Sequence, residues 1–159
     1  MGLDINAYKK LTEVENPQWD ENAEELLNWE SEVQFGESMD WSEKHFKGRG
    51  EGIDSKKVYK WEDVYEFRAG SYSGYNVWRD ELERFSEGNQ FYELINFADN
   101  EGVIGYVVSE KLYNDFKDNE LRAKEYSKNI SDGEYWFEKY KEWEKAFEYA
   151  KEGGAVEFC

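Results

Sequence analysis

The sequence predicts an α+β fold: one domain in which about three helices pack on a small, largely antiparallel sheet. Three observations carry this. Leu3, Ile5 and Ala7 alternate with polar neighbours, the period of a half-buried strand. Two later stretches repeat their apolar residues at spacings of three and four, the period of a helix, and Val156 with Phe158 returns to alternation as a closing strand beside the first.

At 159 residues and 39% hydrophobic content the chain suits a single core, since a domain of this size buries roughly 70% of its unfolded surface. Aromatics make up 18% of the residues, so large planar side chains must build much of that core.

After the first strand, residues 16–28 hold the one proline, Pro17, and an acidic run; Ala23 to Trp29 reads as one or two helical turns or as loop. Val33 and Phe35 suggest a short strand. Residues 36–57, rich in Gly, Ser, Asp and Lys, read as a long connection. Loops of that length in a compact domain are often functional, so Trp41, His45 and Arg49 form a candidate lid, with aromatic anchoring of a surface loop as the plainer reading. Val58 to Phe67 alternates with a slip near Glu62, a strand or bulged hairpin that feeds a glycine-rich turn.

The first clear helix follows, with Tyr75, Trp78, Leu82 and Phe85 on its core stripe and Gly88 ending it. Phe91 to Phe97 is too short to assign. Beyond Gly105 a single helix is expected from about Ser109 to Ser127, with Leu112, Phe116, Ala123 and Tyr126 on one side. The last helix carries Trp136, Tyr140, Trp143, Phe147 and Ala150; Ser131 and Glu134 match a capping box at its start, and Gly153 and Gly154 stop it.

The net charge is −17, from 37 acidic and 20 basic residues, and it divides almost evenly about Phe67. Charge of this sign disfavours direct nucleic-acid binding and anionic membranes. With no apolar run long enough for a membrane span and no signal-like start, a cytoplasmic location is expected. The one cysteine, Cys159, has no partner for an internal disulfide.

The richest segment for function lies between Phe67 and Gly105. Tyr72, Asn76 and Arg79 fall four and three residues apart, forming a polar stripe beside the apolar one. Arg68 precedes the turn, Ser71 lies within it and Tyr75 follows. Two guanidinium groups, aromatic rings and an amide are what a phosphate- and ribose-bearing ligand requires, and backbone N–H groups around Gly70 to Gly74 would cradle an anion. The alternative is an ion pair for each arginine and a tight turn at the glycines.

Asn96, Asp99, Asn100 and Glu101 form a second polar group, suited to ribose hydroxyls or to a self-bonded turn; it lacks the calcium-loop pattern, so no metal is expected. Asp99 or Glu101 could also fix Arg68 or Arg79 in place. No phosphate-binding loop, dinucleotide fingerprint, nucleophile elbow or zinc spacing is present. No cofactor and no catalytic residue is therefore assigned; His45 lacks an orienting neighbour in sequence.

The opening MGLDINAYKKL, the motifs FRAGSYSGYNVWRD and ELINFADNEGVIG, and the closing WEKAFEYAKEGGAVEF together resemble a family of bacteriophage and prophage proteins. The resemblance brings no activity with it. It implies a small protein made in the cytoplasm of an infected bacterium. In that setting the expected function is to bind and sequester a nucleotide-derived signal, such as a cyclic nucleotide or cyclic ADP-ribose derivative, without chemistry. An acidic protein-binding inhibitor or nucleic-acid mimic acting on a host defence protein is the alternative, and a hydrolase of the same signals the third. A homo-oligomer is compatible with each.

Overall fold

The computed structural model describes residues 2–159 and has the α+β architecture expected, in one body. The main sheet has four strands, β1 (Gly2–Lys9), β5 (Asp63–Ser71), β6 (Gly102–Gly105) and β7 (Ala155–Phe158), in the order β5-β1-β7-β6 with every pair antiparallel. Three short strands, β2 (Thr12–Glu13), β3 (Glu32–Val33) and β4 (Tyr59–Lys60), form a second antiparallel sheet in the order β2-β4-β3. Six helices complete the described residues, twice the number expected from sequence: α1 (Gly36–His45), α2 (Tyr72–Phe85), α3 (Tyr92–Ile95), α4 (Tyr106–Asp118), α5 (Glu120–Ser127) and α6 (Gly133–Ala150).

Alternation along the strands divides the main sheet into two unlike faces. Leu3, Ile5, Ala7, Phe67, Ala69, Val156 and Phe158 point to the helices and are buried in the principal core. There α6 supplies Trp136, Tyr140, Trp143 and Phe147, and the ring of Trp143 packs edge-on to Phe67 at 5.1 Å. On the opposite face Tyr8, Val103 and Ala155 are covered by Phe35, Met39 and Tyr59, a smaller core that joins the second sheet and α1 to the first. The rest of that face, with Asp4, Asn6, Glu66 and Arg68, is polar and open.

Helix α1 replaces the long connection expected over residues 36–57. Its sequence hides it: the N-cap position is Phe35, which makes no side-chain cap, and just Met39 and Ser42 are buried. What holds it is tertiary. Ser42 Oγ accepts the N–H of Val103 at 3.2 Å, satisfying an edge strand, and the approach is so close that a Cβ on Gly102, at φ +132°, would sit 2.6 Å from that of Ser42.

The helix expected from Ser109 to Ser127 starts earlier, at Tyr106, and is broken at Asn119. The Asn119 side chain donates to the Asp115 carbonyl at 2.8 Å while its own carbonyl opens α5. Arg122, one turn on, lies 3.8 Å from the Phe85 ring centre and donates to the Phe85 carbonyl. The Ser131–Glu134 capping box does not form either. Asp132 takes the N-cap position at φ 53°, with no side-chain cap, and Gly133 after it abuts the Ser127 carbonyl so tightly that a Cβ would lie 1.6 Å from it.

No helix among the described residues is long and apolar enough to cross a membrane.

Candidate functional site

The strand-to-helix junction at Gly70 to Gly74 forms as a direct passage from β5 into α2. Ser71 is the N-cap, its Oγ accepting the Gly74 N–H at 3.0 Å, so one donor of the expected anion cradle is already used.

The two arginines are not brought together. Arg68 alternates with Phe67 and Ala69 on β5 and so projects from the open face of the sheet, where its Nη1 donates to Asp4 Oδ1 at 3.2 Å. Arg79 lies on α2 and is spent inside the molecule: it donates to the Phe97 carbonyl at 2.5 Å and to Asn76 Oδ1 at 2.7 Å, and its guanidinium lies 5.0 Å from the Tyr75 ring centre. Asn76 in turn donates to Asp99 Oδ2 at 2.9 Å and to the Tyr72 carbonyl at 2.9 Å. Asp99 therefore orders Arg79 through Asn76. Tyr75 is fully buried, and burial drives its hydroxyl far above the ordinary tyrosine range, with the Arg79 charge pulling the other way.

Of the second polar group, Asn96 donates back to the Tyr92 carbonyl and Asn100 accepts the N–H of Glu101, the self-bonded turn that was the plainer reading. The candidate lid residues sit on or just beyond α1. Trp41 packs on His45 at 4.9 Å, and Arg49 staples α3 by donating to the carbonyls of Glu93 and Asn96, each at 3.1 Å. Burial, with Glu157 and Asp4 nearby, pushes the Cys159 thiol up to about 11, so it is protonated at neutral pH.

Two hollows stand out instead. A groove of about 340 Å³ runs between the starts of α2 and α6, lined by Ser71, Ser73, Trp78, Glu81, Tyr135 and Trp136. Of the candidate ligand-binding side chains, Ser71 alone lines it, beside Gly74 of the expected anion cradle. A wider hollow of about 590 Å³ lies in the segment before α1, with Trp19, Glu24, Glu25, Leu26, Trp29 and Glu32 among its walls.

The second hollow belongs to a lobe built around the acidic run of residues 16–28, which the sequence shows but which does not stand among the candidate site residues. Residues 11–43 contain eleven carboxylates and no lysine or arginine, so most of the net charge sits in about a fifth of the chain. Division of the chain at Phe67 averages this run with Lys9 and Lys10 before it and with the six basic residues from Lys44 to Lys60 after it. Counting charge in a sliding window would have found it. Among the described residues just one of the eleven, Glu13, makes an ion pair, with Lys57 at 3.5 Å. Leu27 and Trp29, 59% and 65% exposed, project from the same lobe. No group of three or more His, Cys, Asp or Glu side chains among the described residues converges as a metal-ligand set.

No family model matches the chain, and neither a curated protein nor a solved structure matches it.

Proposed function

We propose that this protein works by binding a basic protein surface through its acidic lobe, as an inhibitor that stands in for nucleic acid. One observation carries the reading: eleven carboxylates in residues 11–43 face no lysine or arginine of their own segment, and among the described residues a single ion pair relieves them. Surfaces ordinarily mix both signs, and a large field of one sign works against the compact state by self-repulsion. A cationic partner removes that repulsion and is drawn in over a long range. Exposed Leu27 and Trp29 add the apolar contact that charge alone does not supply. In the setting the phage resemblance implies, the partner is a host defence protein whose basic surface meets nucleic acid.

The test is displacement. Purified DNA-binding defence proteins, each holding a fluorescent duplex, are titrated with the intact protein; release of the duplex is expected, weakened by salt and by replacing Glu15, Glu21, Glu24 and Glu30 with Gln. Failure to displace from any of them, or displacement untouched by these changes, overturns the reading.

Sequestration of a nucleotide-derived signal is a second reading, favoured by the groove between α2 and α6, where the Trp78 and Trp136 indoles meet two helix starts. Its size suits a single nucleotide, and Ser73 offers a hydroxyl to a sugar, while Glu81 is already engaged by the Tyr126 hydroxyl and by Arg84. Arg68 and Arg79 lend it no support, because neither lines the groove. Incubation with cyclic nucleotides and cyclic ADP-ribose derivatives, followed by heating and analysis of what is released, tests it: intact ligand supports sequestration, altered ligand points to a hydrolase, and nothing released removes both.

A further inference from the structure

The hollow in the acidic lobe has features that bulk acidity does not explain. It is built by a tightly bonded loop: Asp20 Oδ1 accepts the N–H groups of Glu24 and Glu25, at 2.8 and 3.3 Å, and the Leu27 N–H donates to the Gln18 carbonyl at 2.8 Å. Leu26, 8% exposed, pairs with Trp19 across an isolated antiparallel bridge that closes the loop. This folds Glu24 and Glu25 back beside Trp19; Glu32, held on β3 across from Lys60 of β4, lines the same hollow.

Of the seven tryptophans, Trp19 and Trp29 are the two that pack against no other ring and no cation among the described residues, and both line this hollow. Trp41, Trp61, Trp78, Trp136 and Trp143 all have aromatic partners. Glu32 lines it too, and its Oε1 is buried with no hydrogen-bond partner. Its side chain is only partly buried, and the other oxygen, Oε2, is the one open to a charged donor in the hollow.

We propose that this hollow receives an arginine side chain of the basic partner, its guanidinium against the Trp19 and Trp29 rings and paired with Glu32 and with Glu24 or Glu25. Indole faces attract cations more strongly than other rings do. Arginine suits the site better than lysine on three counts: its plane stacks on an indole, its fork pairs two carboxylate oxygens at once, and its weaker hydration makes burial beside Glu32 less costly. At about 590 Å³ the hollow exceeds a guanidinium head and accommodates the side chain with its flanking backbone. The inference rests on the reading of the lobe as a surface for a basic partner, and it names the residue type that the surface selects.

Calorimetry on the intact protein tests it with two blocked peptides, one of four Arg-Gly repeats and one of four Lys-Gly repeats, at low salt of about 50 mM. The arginine peptide is expected to bind about fivefold more tightly or better. Trp29→Ala and Glu32→Gln are each expected to abolish that preference. Trp29 is exposed enough that its removal leaves the fold intact, so this variant decides the matter if Glu32→Gln proves unstable. Equal binding of the two peptides, or a preference that survives Trp29→Ala, overturns the arginine site while leaving the acidic surface standing. No binding of either peptide overturns both.

Discussion

Trp78 and Trp136 clasp each other reciprocally: the Trp78 indole N–H donates to the Trp136 carbonyl at 3.0 Å, and the Trp136 indole N–H donates to the Trp78 carbonyl at 3.3 Å. Both side chains are buried, so each polar tip finds its partner on the other residue's backbone. The clasp fixes the start of α6 against α2 and makes the floor of the groove between them. Replacing either by Phe removes one hydrogen bond and part of a ring and is expected to cost about 2 kcal/mol. The double variant is expected to cost less than the two singles together, because the first change already loosens the contact that the second removes. Urea unfolding of the four proteins measures this, and strict additivity would count against the clasp.

Arg68 and Arg79 are expected to behave oppositely when each is changed to Ala. Arg68 has one exposed partner, Asp4, with both side chains 55% accessible, and surface pairs of this kind contribute about 0–1 kcal/mol. Its loss is expected to leave stability within about 0.5 kcal/mol of the parent. Arg79 bridges α2 to the Phe97 carbonyl and to Asn76, and its removal strands the Phe97 carbonyl and unseats Asp99 behind Asn76. A loss of about 2 kcal/mol is expected. Thermal unfolding of the two variants separates these roles. A neutral Arg79→Ala would return that side chain to the pool of ligand-binding candidates.

How much of this was legible in the sequence follows from where each signal resides. The inner strands of the main sheet, β1 and β7, and the helices α2 and α6 were readable because their burial is periodic: Leu3, Ile5 and Ala7, or Trp136, Tyr140, Trp143 and Phe147, announce their faces by spacing alone. Helix α1 was not readable, since two buried residues in ten make no stripe and its anchor is the long-range bond from Val103 to Ser42. The break at Asn119 depends on a side chain that bonds a carbonyl four residues back, which spacing does not encode.

At the candidate site, residue type misled. Arginines, tyrosines and asparagines near glycines describe a ligand pocket and an internal staple equally well, and alternation on β5 sends Arg68 to the face away from α2. The acidic lobe was written in the sequence at a length scale between the single residue and the half chain.

Glu157 gives a pH dependence with a definite sign. It lies half-buried on β7, accepting from Asn6 Nδ2 at 3.3 Å and from the Tyr8 hydroxyl at 3.1 Å. Burial raises its carboxyl above the ordinary glutamate range, and these two hydrogen bonds, which favour the ionised form, offset it in part. A carboxyl raised in the folded state holds its proton more tightly there than in the unfolded chain. Its contribution to stability is thus fully present below the unfolded glutamate value of about 4.3 and is lost as pH rises through the higher folded value. Glu157→Gln keeps an acceptor for Asn6 and Tyr8 and removes the ionisation. The variant is therefore expected to gain stability relative to the parent as pH rises above about 4.3. Chemical denaturation across that range checks it. A parent that gains stability over the variant as pH rises would mean that the Asn6 and Tyr8 bonds outweigh burial.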